Sequence, residues 1–261
     1  MLTARPIALT ALRLGLLLVV FGAWWGLTAS EILPPFFFGE PVKVGRQLYD
    51  WFADGSVFAH LGVTLLETLL ALLIGSLAGA GVGLWLALSP LAAALLDPYI
   101  KAANAMPRVV LAPIFAVWFG LGVASKVALG ITLVFFVVFF NVYQGVREVD
   151  PRLLANARML GAGRGQLMRH VYLPSAAGWL FSSMHNAVGM AFVGAVVGEY
   201  LGSARGMGYL ILQAEGMFDI NAVIAGIVVL TACALGLDAL VSRAERRALH
   251  WRPTARAETG G

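Results

Sequence analysis

Five ionisable side chains, Glu67, Arg108, His185, Glu199 and Asp238, stand in stretches of sequence that are otherwise apolar enough for lipid. Charges are rare in such surroundings because burying them is costly, so they pair with one another or line a wet path. Glu67 and Arg108 carry opposite charge and are expected to pair; alternatively, Arg108 supplies the positive potential that draws an anion into a pore. His185 and its neighbour Asn186 read either as hydrogen-bonded packing residues or as groups on a polar path. Asn104, Asn141 and Gln144 are further candidates for that path. Asp238 is expected to pair with Arg243 or to face water. Glu199 comes shortly before the glycine-rich "GSARGMG", which contains Arg205. Glu199 either fixes that turn or meets an external protein.

Catalytic constellations are missing from the sequence. It contains no G-x-x-x-x-G-K-[ST] string, so it carries no phosphate-binding loop of its own. "GAGRGQ" fails the dinucleotide fingerprint at Gln166, and no nucleophile elbow or metal-ligand cluster is present. The single cysteine, Cys233, lies in an apolar run, which excludes an internal disulfide or zinc framework and suggests a packing role. The chain is therefore expected to be neither an enzyme nor the holder of a cofactor or metal.

The elements that position these residues are apolar helices. Hydrophobic residues make up 60% of the chain and charged ones 12%, against about a quarter charged in soluble domains. A bilayer core needs about 20 apolar residues per helix. Six spans are predicted: Ile7–Thr28, Leu61–Leu88, Pro98–Phe119, Val127–Gln144, Ala176–Leu201 and Ala222–Val241. The third is interrupted by Pro107, Arg108 and Pro113, a pattern tolerated only where protein or a wet cavity satisfies the freed backbone. The first is long for a cleaved signal peptide and is expected to be a retained anchor.

Arginine and lysine set the orientation. Arg147, Arg152, Arg158, Arg164 and Arg169 fall on the same side as Arg243, Arg246, Arg247, Arg252 and Arg256. The positive-inside rule puts that side, with both termini, in the cytoplasm. Lys43, Arg46, Lys126 and Arg205 remain outside. The loop from Ser30 to His60 is read as external and, from its prolines, as extended or turned, with Phe36–Phe38 at the lipid interface. Gly75, Gly79 and Gly83 recur every four residues in the second span and form a small-residue seam for close helix approach.

Between two oily segments runs "LLANARMLGAGRGQLMRHVYLPSA", residues 153–176. Asp150 and Pro151 supply an N-cap acceptor and a first-turn proline, and Leu153, Leu154, Ala157 and Leu160 form an apolar stripe. Gly161 and Gly163 break this helix, and a second one over Arg164–Val171 is expected to stop before Pro174. By its physics alone the segment is equally an amphipathic hairpin with arginines on lipid phosphates.

Its spacing resembles the "EAA" loop of ABC importer permeases: Glu-Ala-Ala, three residues, Gly, nine residues, Ile, one residue, Leu-Pro. Ala157, Gly161, Leu173 and Pro174 match, Val171 replaces Ile, and Ala155 and Asn156 stand where Glu and the middle Ala belong. "LPPFFFGEP", "VTLLETLLALLIG", "MPRVVLAPIFAVWFGLGVASK", "VVGEYLGSARGMGYLI" and "RRALHW" resemble the nitrate/sulfonate/taurine branch of these permeases. The resemblance implies an all-α type I permease fold with about six transmembrane helices. It divides the chain into an anchor and external loop (1–60), a permease core (61–242) and a basic cytoplasmic tail (243–261). Residues 147–174 become a loop that couples to a cytoplasmic ATPase through Ala155, Asn156, Ala157, Gly161, Arg164, Val171, Leu173 and Pro174. Arg108, His185, Asn186 and Glu67 become candidates for the translocation path, and Glu199 and Arg205 for contact with a binding protein.

The implied assembly contains a second copy of this chain, two ATP-binding subunits carrying ATP and Mg, and a periplasmic substrate-binding protein, in the bacterial inner membrane and without nucleic acid. The implied cargo is a small anion such as nitrate, a sulfonate, taurine or an organic acid. A vitamin or thiamine precursor is the alternative within the branch. An ATP-independent secondary carrier and a membrane scaffold are the other classes, and the carrier is disfavoured by few intramembrane ion-coupling groups and no internal repeats.

Overall fold

The structure is a computed structural model that describes residues 6–250. Arg252 and Arg256, expected on the cytoplasmic side, fall outside this range. Among the described residues every regular element is helical. Helix α1 (Pro6–Ala29) is followed by a short turn, α2 (Pro35–Phe38), and by α3 (Pro41–Ala53). Next come the long α4 (Ser56–Leu88), α5 (Pro90–Ala105), a 3₁₀ turn (Arg108–Leu111) and α6 (Ala112–Phe119). Helix α7 (Val123–Arg147) leads into α8 (Pro151–Met159) and α9 (Arg164–Leu167). A π turn (Met168–Tyr172) joins α9 to α10 (Leu173–Leu201), and α11 (Met207–Gly216) and α12 (Ile220–Ala248) complete the chain.

Five helices are long and apolar enough to cross a membrane, and α5 with Arg108–Phe119 makes a sixth if that bent pair counts as one span. The bend is 83° and falls at Met106-Pro107. The third span thus starts earlier than its apolar pattern suggested, because Pro90 is well placed in a first turn and Pro98 is accommodated inside α5.

The loop read as external differs more. It is largely helical, because Pro35 and Pro41 each sit at the start of a helix, where a missing N–H costs nothing. Pro174 does not stop its helix either. The Leu173 N–H reaches back to Met168 O across the π turn, and Pro174 takes the first turn of α10. Arg164–Leu201 is therefore one 38-residue helical run.

At the centre α4, α7 and α10 bury Ala71, Val134, Val138, Ala187, Val188 and Ala191 against one another. The glycine seam has its partner in this chain. A Cβ on Gly75 would lie 2.8 Å from Val134 Cβ, one on Gly79 2.6 Å from Phe135 O, and one on Gly83 2.8 Å from Phe139 O. A second seam, readable as "GAVVG", packs α10 on α7: a Cβ on Gly194 would meet Gly130 Cα at 2.4 Å. Near the other end, Trp179 covers Gly145 so closely that a Cβ there would lie 2.0 Å from its ring, and Ser175 donates to Gly145 O at 3.0 Å.

These distances set a graded test. Gly79→Ala should destabilise the bundle by about 1–3 kcal/mol and Gly79→Leu by more, because the obstacle is backbone. Gly81→Ala, whose Cβ would meet nothing within 4 Å, serves as the control and should be neutral or slightly stabilising. Thermal unfolding of the detergent-solubilised chain measures both; equal midpoints for Gly79→Ala and Gly81→Ala would remove the seam from the account.

Candidate functional site

The helix-glycine-helix segment begins as its residues dictate. The Asp150 carboxylate accepts from Arg152 N at 2.8 Å and caps α8, with Pro151 at its first position. Past Met159 the chain turns at Gly161, whose φ of +84° lies in the left-handed region that glycine enters without strain. Gly161 N donates to Arg158 O at 2.9 Å and Ala162 N to Ala157 O at 3.0 Å, so the last carbonyls of α8 are satisfied. Gln166 Oε1 accepts from Gly163 N at 2.9 Å and starts α9.

Little of this segment packs on the rest of the chain. Leu160 is 89% exposed and Met159 82%, while Arg152, Arg158, Arg164 and Arg169 are exposed around them. Of the apolar stripe, Leu153 and Leu160 are exposed and Leu154 and Ala157 half-buried. Ala155 and Asn156 face out, Val171 and Pro174 are half-buried and Leu173 is exposed. Beside the kink lies a cavity of about 290 Å³ lined by Ala157, Leu160, Gly161, Gln166, Leu167 and His170, among others. An apolar knob with a basic rim next to a hollow is a shape for contact with another protein.

Arg108 and Glu67 are not a pair. Arg108 follows the break in the bent span, and its side chain folds back to donate to Asn104 O at 2.9 Å and to Asn104 Oδ1. Its guanidinium lies over the Phe136 ring of α7, 4.3 Å from the centroid. The arginine thereby caps the Asn104 carbonyl, one of those left open where α5 ends, and takes no carboxylate. From there α7 carries a stacked aromatic run, Phe135, Phe139 and Tyr143, with Arg147 over Tyr143 at 5.5 Å.

Glu67 instead belongs to a buried polar cluster at the far end of the bundle. It lies against Glu199 and Lys126, and all three are at most 1% exposed. Glu199 is thus no candidate for touching an external protein. It holds the turn, as its other reading had it: Oε2 accepts from Gly208 N at 2.7 Å and Oε1 from the Thr64 hydroxyl at 2.6 Å. Thr64 in turn accepts from Met207 N at 2.8 Å, and His60 Nδ1 accepts from Gly206 N at 3.1 Å. Residues of α4 and α10 thereby satisfy the first N–H groups of α11. Lys126, expected in an outer loop, is buried in the first turn of α7 and donates to Leu121 O and to Gly202 O at 2.9 Å. The signal that would have found it is its position, a lone cation beside an apolar run. Arg205, within the same turn, is exposed.

His185 bridges two helices. Its Nδ1 lies 2.6 Å from Asp238 Oδ1 and its Nε2 3.3 Å from Glu245 Oε2, both on α12. Asp238 therefore takes His185 rather than Arg243, whose guanidinium donates to Ala239 O. His185 and Asn186 are exposed within this chain. Cys233 is half-buried beside the core, as a packing residue would be. The basic tail begins inside α12, which continues through Ala248 with Arg246 and Arg247 in its last turn.

A bundle of apolar spans, one of them broken, with a kinked basic segment exposed at one end, defines a polytopic helical permease. Residues 71–250 match the family of binding-protein-dependent transport system inner membrane components, and the chain belongs to that family. It is 31% identical over 245 residues to the aliphatic sulfonates transport permease protein SsuC of Bacillus subtilis strain 168, covering 91% of this chain and 87% of that one. To the taurine transport system permease protein TauC of Escherichia coli K12 it is 29% identical, covering 92% and 89%. The formylaminopyrimidine permease ThiX of Halalkalibacterium halodurans and the riboflavin permease RibX of Chloroflexus aurantiacus match at 28% and 30% identity. The fold is shared with a chain of the inward-facing MetNI methionine ABC transporter, at a TM-score of 0.62 and 19% identity over 74% of this chain and 94% of that one. The protein is an ABC importer permease of the sulfonate/taurine branch, an inner-membrane component. This sets aside the secondary carrier and the scaffold.

The buried cluster makes a prediction. Glu199→Ala removes the acceptor for Gly208 N and for Thr64, and each unsatisfied buried donor costs about 1–3 kcal/mol. A lowered unfolding midpoint in detergent is expected, with Glu199→Gln intermediate because its amide oxygen still accepts. A Glu199→Ala midpoint equal to wild type would mean that α11 is held by packing alone.

Proposed function

We propose that this permease works as a homodimer in an ATP-driven importer, with two cytoplasmic ATP-binding subunits and a periplasmic binding protein that delivers the cargo. Residues 147–174 dock on the ATPase, and both termini lie in the cytoplasm. The observation that carries this reading is the kink at Gly161. It projects Met159 and Leu160 from an arginine-rimmed surface beside a hollow, where a hairpin lying on lipid would turn its apolar stripe into the bilayer. ATP and Mg belong to the partner subunit, and this chain holds no cofactor.

Because α9, the π turn and α10 form one helical run, displacement of the docked end is carried to the outer turn at Gly202. A ligand shifts such an equilibrium only through contacts that differ between its states, and the exposed knob is where those contacts form. The translocation path passes Arg108, and His185 and Asn186 face it nearer the cytoplasm. Glu67 is withdrawn from the path into the cluster with Glu199 and Lys126. The cargo is a small anion, a sulfonate or taurine-like acid, which the fixed guanidinium of Arg108 favours. The second reading, a vitamin or precursor, is supported by the relatives named for formylaminopyrimidine and riboflavin and by the aromatic run on α7.

Two substitutions test the reading. Gly161→Val forces a β-branched residue towards a positive φ, so the spans should insert normally while the ATPase co-purifies poorly or hydrolyses without transport. Wild-type transport by Gly161→Val in reconstituted vesicles would reduce residues 153–174 to a lipid-facing hairpin. Arg108→Gln strands no carboxylate, so the complex should assemble and keep its basal ATPase activity. Uptake of an anionic cargo should fall about tenfold, the weight of one favourable charge contact. Unchanged anion uptake by the assembled variant removes Arg108 from the path.

A further inference from the structure

The end of the bundle opposite residues 147–174 carries a pocket that the transport reading leaves unused. It encloses about 310 Å³ and is lined by Phe36, Phe37, Glu215, Phe218, Ile220 and Val223. The Phe36 ring stacks on Phe218 at 6.1 Å and 23° and meets Phe37 edge-on at 5.0 Å. All three rings are more than half exposed. Phe218 is held at a φ of +57°, a left-handed backbone uncommon for a bulky residue. Its turn is closed by Phe218 N on Glu215 O at 2.9 Å and Asp219 N on Ala214 O at 2.8 Å. Glu215 is the ionisable group of the lining, and its Oε2 is fixed by the Tyr200 hydroxyl.

Depth in the bilayer follows from the spans on either side. Helix α1 ends at Ala29 and α12 begins at Ile220, so two apolar spans meet the surface at this pocket. Trp24 Nε1 donates to Phe38 O at 3.2 Å, which ties α2 to the last turns of α1. The apolar window of α1 is 0% buried within the chain, so the pocket is continuous with a lipid-facing surface. Aromatic rings at this level are at home among headgroups.

We infer that the pocket seats a phospholipid whose headgroup carries a primary ammonium. The acyl chain runs along α1 and the phenylalanine rings. The ammonium sits between ring faces, which attract cations, and the Glu215 carboxylate, which also repels anionic headgroups. The assignment depends on the spans and not on the choice of cargo or the ATPase contact.

The test titrates the full-length chain in detergent with phosphatidylethanolamine and phosphatidylglycerol of identical acyl chains, and counts bound lipids by native mass spectrometry. Wild type should retain phosphatidylethanolamine about threefold better, the scale of an exposed cation–aromatic contact. Phe36→Ala combined with Phe218→Ala should lose the binding of both lipids. Glu215→Gln, a change at an exposed residue, should fold, keep lipid and lose the preference. Equal retention by wild type and the double phenylalanine variant overturns the pocket. A preference for phosphatidylglycerol, or one for phosphatidylethanolamine that survives Glu215→Gln, overturns the headgroup assignment. If Phe37→Cys in vesicles of the two lipids is shielded from a thiol reagent only when an external binding protein is added, the occupant is that protein and the lipid assignment fails.

Discussion

In lipid an apolar side chain gains nothing by turning inward, since the tails outside are as oily as the core inside. Helices then associate through dispersion contacts that fade within an ångström of misfit, and through hydrogen bonds with no water to compete. The close backbone approach of α4, α7 and α10 at Gly75, Gly79, Gly130 and Gly194 meets that condition. Everything else is hung on this three-helix centre. The bent span leans on α7 through Arg108 and Phe136, and α12 is held to α10 by His185 and Asp238. The turn between α10 and α11 is held by hydrogen bonds to Glu199, Thr64 and His60.

The two ends of the molecule are built differently. At one end, polar groups are withdrawn from solvent and spent on the turn between α10 and α11, which fixes its shape. At the other, arginines and large apolar side chains are left exposed, and the chain satisfies only its own helix ends. A turn fixed by buried hydrogen bonds and, at the opposite end, an exposed basic surface are what the proposed coupling asks of this subunit. The 38-residue helical run joins the two.

Spans, glycine seam and kinked segment were legible in the sequence because each depends on local pattern: about 20 apolar residues, a four-residue repeat, a cap followed by glycine. Pairings were not legible. Glu67 with Arg108 and Asp238 with Arg243 are reasonable by charge alone, but which charges meet is set by helix rotation and by the backbone groups that proline exposes. Arg108 found carbonyls and a ring, and Lys126 found the ends of two other helices. Prolines misled where they begin helices. Pro35, Pro41 and Pro174 sit in first turns, where their missing donor is free, while Pro107 sits at a true break.

The π turn at Met168–Tyr172 fixes a phase relation. An α-helix advances about 100° per residue, and a π turn accommodates one residue more than the regular helix would. The azimuth of Arg164 relative to Glu199 is therefore set by this single turn, 27 positions before the buried carboxylate if counted from Tyr172. Removing one residue there would restore a regular α-helix with the basic segment facing nearly as it does now, whereas a deletion elsewhere in the run would turn it by about 100°. The long run thus takes up one residue of length at this turn without losing the direction of its basic end.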